Sequence, residues 1–119
     1  MISDIDLVAV VHALSSQDLA RARERASSLP EPGSPFEEGY ALAIKGMVAS
    51  YENDEKDGML YKILTKELSP DQLAAQREYC HTRSEQAFRD DRQRGYERAW
   101  EQVCAYALGD LPSGLDAYQ

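Results

Sequence analysis

The chain is short of the residues that most chemistry needs. It holds two histidines, two cysteines and one tryptophan in 119 residues. Cys80 and Cys104 show no paired spacing, so the chain spells out neither a disulfide framework nor a zinc motif. That usage reads as a reduced, cytoplasmic protein. No Gly-rich phosphate loop and no Gly-x-Ser-x-Gly elbow occurs. The longest apolar run, Leu7 to Leu14, is interrupted by His12 and is too short to span a bilayer. The N-terminus carries acids where a signal peptide carries basic residues. Positive charge is scarce too: 13 Lys and Arg stand against 21 Asp and Glu, a formal charge of −8. Phosphate attraction supplies most non-specific nucleic-acid affinity, so this balance argues against a free-standing nucleic-acid binder. It argues equally against docking on anionic membrane surfaces. What remains is an ordinary composition, 43% apolar and 29% charged. A chain of this length buries roughly two-thirds of its unfolded surface and folds without a disulfide or metal.

The strongest positive signal is Ser34 to Asn53, SPFEEGYALAIKGMVASYEN. Ser34 can cap a helix, Pro35 fits its first turn, and Glu37 can reach back to close a capping box. Phe36, Tyr40, Ile44, Met47, Val48 and Tyr51 fall on one side of a 3.6-residue helix. A second stripe is small: Gly39, Ala43, Gly46 and Ser50. Glycine costs roughly 1 kcal/mol in a helix interior relative to alanine, so glycines on one face predict the close approach of another backbone.

The other segments also read as helices. Ser3-Asp4-Ile5-Asp6 has the form of a capping box, opening an apolar helix over Ile5–Leu14; its β-branched Val8–Val11 stretch offers a strand as the rival reading. Ser15-Ser16-Gln17-Asp18 starts a helix over Gln17–Leu29 with Leu19, Ala22, Ala26 and Leu29 inward. Pro30 to Pro35 is a rigid connection, and Glu52 to Gly58 an acidic turn. A short helix follows to about Leu68, with Met59, Leu60, Ile63, Leu64 and Leu68 inward. Ser69-Pro70-Asp71-Gln72 repeats the start seen at Ser34. Beyond Pro70 as far as Leu108 there is no further proline, and the only glycine is Gly95. One long helix, continuous or kinked near residues 89–94, is the reading taken here, although Asp90 or Asp91 could cap a new one. Gly109 marks a stop, and 110–119 reads as an irregular tail.

Gly39-Tyr40-x-x-Ala43, with Ala49, is echoed by Gly95-Tyr96-x-x-Ala99, with Ala105. The echo predicts that the two Gly-x-x-x-Ala faces pack on each other with the tyrosines flanking the crossing. The same residues, Gly-Tyr-x-x-Ala-x-Lys-Gly-Met over 39–47 and Arg-Gly-Tyr-x-x-Ala-Trp over 94–100, resemble an uncharacterised all-helical archaeal protein family. That resemblance covers residues 34–108, implies an all-α fold and attaches no function. The paired-helix rhythm is also similar to tetratricopeptide-type repeats, but their Trp, Leu-Gly and Pro signature is absent.

Candidate chemistry is sparse. Glu78-x-x-His81 on a helix puts two metal ligands on one face, as in di-iron carboxylate bundles, with Glu85 a turn beyond; the second motif such sites need is missing. Asn53, Glu55 and Asp57 followed by Gly58 suggest a calcium loop, but its twelfth position is Leu64 where a bidentate glutamate is needed. Acids at a helix start opposing the dipole explain that turn. Glu52-x-x-Glu55 resembles half of the magnesium-binding pairs of all-helical nucleotide pyrophosphatases, without the other half. Cys80 neighbours His81, yet adjacent helical residues point about 100° apart. Cys104 reads as core; on a single helix the two sulfurs would lie roughly 36 Å apart.

The segment Arg77–Arg98 departs from the overall charge. Six arginines face five acids there, a net +1, against seven cations and sixteen acids, −9, elsewhere. Arginine forks suit phosphate and carboxylate, and Tyr79 and Phe88 are placed to stack on bases. Interspersed signs also describe a solvated helix laced with i, i+4 pairs. The expected fold is therefore all-α: a compact bundle of five or six helices over 1–109, with 35–52 and 95–108 at its centre. The expected function is a small non-enzymatic protein-interaction or adaptor protein, with a homodimer among its forms. Its expected surface is Arg77, Arg83, Phe88, Arg89, Arg92, Arg94 and Arg98, and its packing residues are Gly39, Ala43, Gly46, Gly95 and Ala99. No cofactor is expected. The alternatives are a nucleic-acid-associated accessory factor using the Arg77–Arg98 face and a metal-dependent enzyme using Glu78 and His81.

Overall fold

A computed structural model describes residues 2–53 and 58–110. Among these residues there are six α-helices and no strand: α1 (Asp4–Ser15), α2 (Leu19–Ser27), α3 (Pro35–Glu52), α4 (Met59–Leu64), α5 (Pro70–Glu85) and α6 (Asp91–Ala107). The fold is an all-α bundle. The acidic-turn residues 54–57, and with them the calcium and pyrophosphatase-like readings, lie outside the described residues, as does the tail from 111.

Helix starts follow the caps. The Ser3 hydroxyl accepts from the Asp6 amide while the Ser3 amide donates to Asp6 Oδ2 at 2.8 Å. Ser69 and Gln72 form the same reciprocal pair on α5. Each arrangement satisfies two of the four orphan donors of a helix start. Ser34 caps α3 by accepting from the Glu37 amide, but the box does not close. Glu37 Oε1 instead accepts from the backbone amides of Ile2 and Gly33, which ties the N-terminus to the start of α3. α2 begins later than the sequence suggests. Gln17 adopts a left-handed φ of 61°, the two serines end α1, and Asp18 is the cap.

The predicted single helix over 70–108 is two helices. α5 ends at Glu85, Gln86 is extended, Arg89 N donates to Gln86 O across a turn, and Asp90 caps α6 through the Gln93 amide. The entirely polar stretch that a single helix would have exposed all round becomes a reversal, and α5 folds back along α6. Arg94 Nε donates to the Ser84 carbonyl at 2.9 Å, supplying a partner to an end-of-helix acceptor that has no amide four residues on.

The centre is the α3–α6 pair. Gly39 and Gly95 are each the fifth residue of their helices, and each meets the first turn of the other. A Cβ on Gly39 would stand 1.8 Å from the Arg92 carbonyl oxygen, and one on Gly95 1.9 Å from that of Phe36. Only hydrogen fits at either place. Ala43 and Ala99 continue the seam, both fully buried. Gly46 takes no part in it: it is exposed, and no described atom lies within 4 Å of a Cβ built there. This contact is the most extensive between any two helices, and Asp4 touches both Tyr40 on α3 and Arg98 on α6. The two helices meet at their fifth residues, so an antiparallel pair would overlap only in its first turns; a contact this extensive needs both to run in the same direction. α3 and α6 are thus parallel and in register, related by a local two-fold axis along their length.

α1 packs against this pair and brings Leu7, Val10, Val11 and Leu14 into the same buried core as Ile44, Met47 and Val103. Each such side chain contributes roughly 1.5–3 kcal/mol when fully buried. α2 flanks α3 and α5 flanks α6. Leu60 and Ile63 of α4 are buried, while Met59 is partly exposed. Leu73 and Cys80 of α5 are buried, but Ala87 falls in the turn and is exposed.

Candidate interaction surface

The arginines of 77–98 do not converge on a patch. Arg77 bonds Asp110 at 2.6 Å, Arg83 bonds Glu97 at 2.9 Å, Arg92 bonds Glu38 at 2.6 Å and Arg98 contacts Asp4 at 3.3 Å. Arg94 holds the Ser84 carbonyl and lies 3.5 Å from Asp91. Arg89 bonds Gln86 and stacks on Phe88. Five of the six bridge one element to another, so the charge that stood out in the sequence is spent on fastening the bundle. Phe88, at the tip of the α5–α6 turn, remains 81% exposed.

A polar network connects α1, α3, α6 and α5. The Tyr40 hydroxyl donates to Asp4 Oδ1 at 2.6 Å, and Asp4 Oδ2 receives Arg98. The Gln102 amide, with its oxygen toward the guanidinium, accepts from Arg98 Nη2 at 2.8 Å and Nε at 3.2 Å. Buried Glu101 lies 3.6 Å from Arg98 through Oε1 and bonds His81 Nδ1 at 3.0 Å through Oε2. Burial of its phenol, with Asp4 accepting the proton, raises the Tyr40 pKa far above its ordinary value. His81 and Glu101 have the spacing of a general base and its orienting acid. No nucleophile completes them: burial, reinforced by Glu97, pushes the Cys80 thiol up to about 12, and the His81 ring bonds only Glu101 among the described residues.

Glu78 and Glu85 are exposed and do not join His81, whose Nδ1 is taken by Glu101. Among the described residues no three His, Cys, Asp or Glu side chains are placed to hold a metal ion, and no helix is long and apolar enough to cross a membrane. A shallow open hollow on α2, lined by Asp18, Arg21, Glu24 and Arg25, is polar and exposed.

The feature left over is apolar. On the face of the α3–α6 pair opposite α1, Leu42 is 57% and Tyr96 40% exposed. Gly46 leaves a bare notch beside Leu42 on α3. Arg83, bonded to Glu97, also donates to the Tyr79 hydroxyl and stacks on its ring at 5.1 Å. That places 55%-exposed Tyr79 next to the same face. Tyr96 was expected, with Tyr40, to flank the helix crossing, and the local two-fold places the two tyrosines on opposite flanks of it. Tyr96 is the counterpart of Tyr40, which bonds Asp4 of α1, and among the described residues it stays 40% exposed. Leu42 escaped notice in the sequence. Its only signal was a large apolar residue off the buried stripe of α3. Comparison with family models, with curated proteins and with solved structures finds no match to this chain.

Proposed function

We propose that the chain is a small non-enzymatic protein-interaction module that docks its partner on the face formed by Leu42, Tyr96 and Tyr79. One observation carries this reading. Leu42 and Tyr96 stand exposed on the rigid backbone-to-backbone pair of α3 and α6, and exposed Tyr79 flanks them from α5. Aromatic residues on rigid supports are the usual anchors of protein interfaces, because they bury large areas at little entropic cost. Among the described residues the His81 ring bonds only Glu101, which favours a binding role over an acyl-transfer one. The internal pairing of the arginines disfavours nucleic acid, since phosphates would have to compete with carboxylates already at 2.6–2.9 Å. Two buried thiols fit a reducing, cytoplasmic setting.

The test is a photoactivatable benzoylphenylalanine in place of Gly46, where there is space for it, with Ala20 on α2 as the control position. Irradiation in the native host is expected to give a covalent adduct from position 46 and none from position 20. Leu42→Glu should abolish the adduct while the thermal midpoint stays within about 2 °C, a shift of about half a kcal/mol. Equal labelling from both positions would overturn the assignment of the face.

A further inference from the structure

The local two-fold axis says what a partner of this face must look like. On the covered side, Tyr40 and Arg98 receive α1 through Asp4. The equivalent positions on the open side are Tyr96 and Leu42. Leucine cannot pair with an acid, so the open side does not repeat the α1 contact and demands a different occupant. One turn nearer the helix starts, Glu38 and Arg92 bridge α3 to α6 at 2.6 Å, both well exposed. Glu38 precedes Leu42 by four residues, and Arg92 precedes Tyr96 by four. The face is therefore a two-by-two tile, an acid beside a base and an aliphatic residue beside an aromatic one.

We infer that this tile pairs with itself: the partner is a second copy of the chain, related by a two-fold axis running along α3 and α6. That operation lays Leu42 on Tyr96 of the second copy and Tyr96 on its Leu42. It also sets Glu38 against Arg92 of the second copy, and the reverse. A two-fold across the helices would press the ion pair onto the apolar row and strand two charges, so the orientation is fixed. A closed two-fold interface needs just such self-complementarity. A chain of −8 repels its own kind, and this tile, one acid and one base, adds no repulsion at the contact. The inference rests on the docking reading above and names its occupant.

Charge reversal with rescue tests it. Sedimentation of the wild-type chain over a concentration series should show twice the chain mass. Glu38→Arg alone and Arg92→Glu alone should each weaken association at least about tenfold, because both cross-copy contacts become like-charged. Mixing the two variants restores opposite charges at both contacts and should return the doubled mass. Circular dichroism verifies that each variant folds, and Leu42→Glu, which does not touch the ion pair, should also give single mass. A wild-type chain of single mass at every concentration overturns self-pairing, as do variants that associate like the wild type or a mixture that fails to recover. If position 46 meanwhile cross-links to a different protein, the docking face stands and only its occupant changes. If the wild type doubles its mass but position 46 gives no adduct, the docking face itself falls.

Discussion

Three glycines on α3 and α6 look alike in the sequence and should behave in opposite ways. At Gly95 an added methyl would sit 1.9 Å from the Phe36 carbonyl oxygen and 3.1 Å from the Tyr40 nitrogen. Both are backbone atoms, which no rotamer change can move aside. The methyl needs about 3.4 Å or more, so α3 and α6 must part by more than an ångström along the best-packed seam of the molecule. Overpacking costs about 3 kcal/mol at its upper end, and alanine returns roughly 1 kcal/mol of helix propensity. Gly95→Ala is thus expected to lose about 2 kcal/mol or more, lowering the thermal midpoint by about 8 °C for a chain of this size. Gly39→Ala, at 1.8 Å from the Arg92 oxygen, should lose as much. The double variant should lose less than the sum, because the seam opened for one methyl makes room for the other. Gly46→Ala meets no described atom within 4 Å and should gain about 0.5–1 kcal/mol from propensity alone. Urea or thermal unfolding of the four variants decides the matter. A Gly95→Ala chain as stable as wild type, or a destabilised Gly46→Ala, would refute the backbone-to-backbone seam as placed at Gly39 and Gly95 and away from Gly46.

Other measurements bear on other elements. Ala87→Pro should leave stability unchanged or raise it by about 0.4–1 kcal/mol, since Ala87 is the second residue of the turn closed by Arg89 N and Gln86 O, and extended Gln86 suits a residue before proline; inside a continuous helix it would cost about 3 kcal/mol. Asp4→Ala should cost about 1–3 kcal/mol by stranding the Tyr40 hydroxyl and loosening Arg98, measured by urea unfolding. Burial pushes the Cys80 thiol to about 12 and the Cys104 thiol to about 11, so both should resist a thiol reagent near neutral pH until the chain unfolds. Because the folded thiols keep protons that unfolded ones release near pH 9, stability should be constant below about pH 8 and fall as pH rises from about 9 to 11, by up to about 1.4 kcal/mol per unit for each group. A flat profile across that window in urea titrations would contradict the burial of both.

Much of the fold was legible because it is local. Ser3, Ser34 and Ser69 declare helix starts through bonds spanning three residues, and the apolar stripe of α3 lies on the face that is buried. The Gly-Tyr-x-x-Ala echo named both halves of the central seam, since a glycine in a helix implies a neighbour. It could not say on which side the neighbour stands, and so Gly39 and Gly46 read alike. The reversal at 86–90 was hidden for a physical reason. Its residues include good helix formers, with no glycine or proline to stop them, and what ends α5 is distant help: Arg94 at the Ser84 carbonyl and Asp90 at the next start. The pairing of the arginines was not legible because their partners, Asp4, Glu38 and Glu97, are chosen by tertiary structure. The surface now favoured rests on Leu42 and Tyr96, whose exposure follows from which flank α1 happens to cover.

The central seam also governs how the molecule can breathe. Where side chains interdigitate, rotamer hops absorb small displacements, but two backbones in direct touch have no such slack. α3 and α6 are bound to separate as whole rods or not at all. Their amides should be the slowest to exchange with deuterated solvent, with the short, thinly anchored α2 and α4 opening first. A recognition face mounted on α3 and α6 would then keep its shape while the periphery frays, presenting the same contour to every arriving molecule.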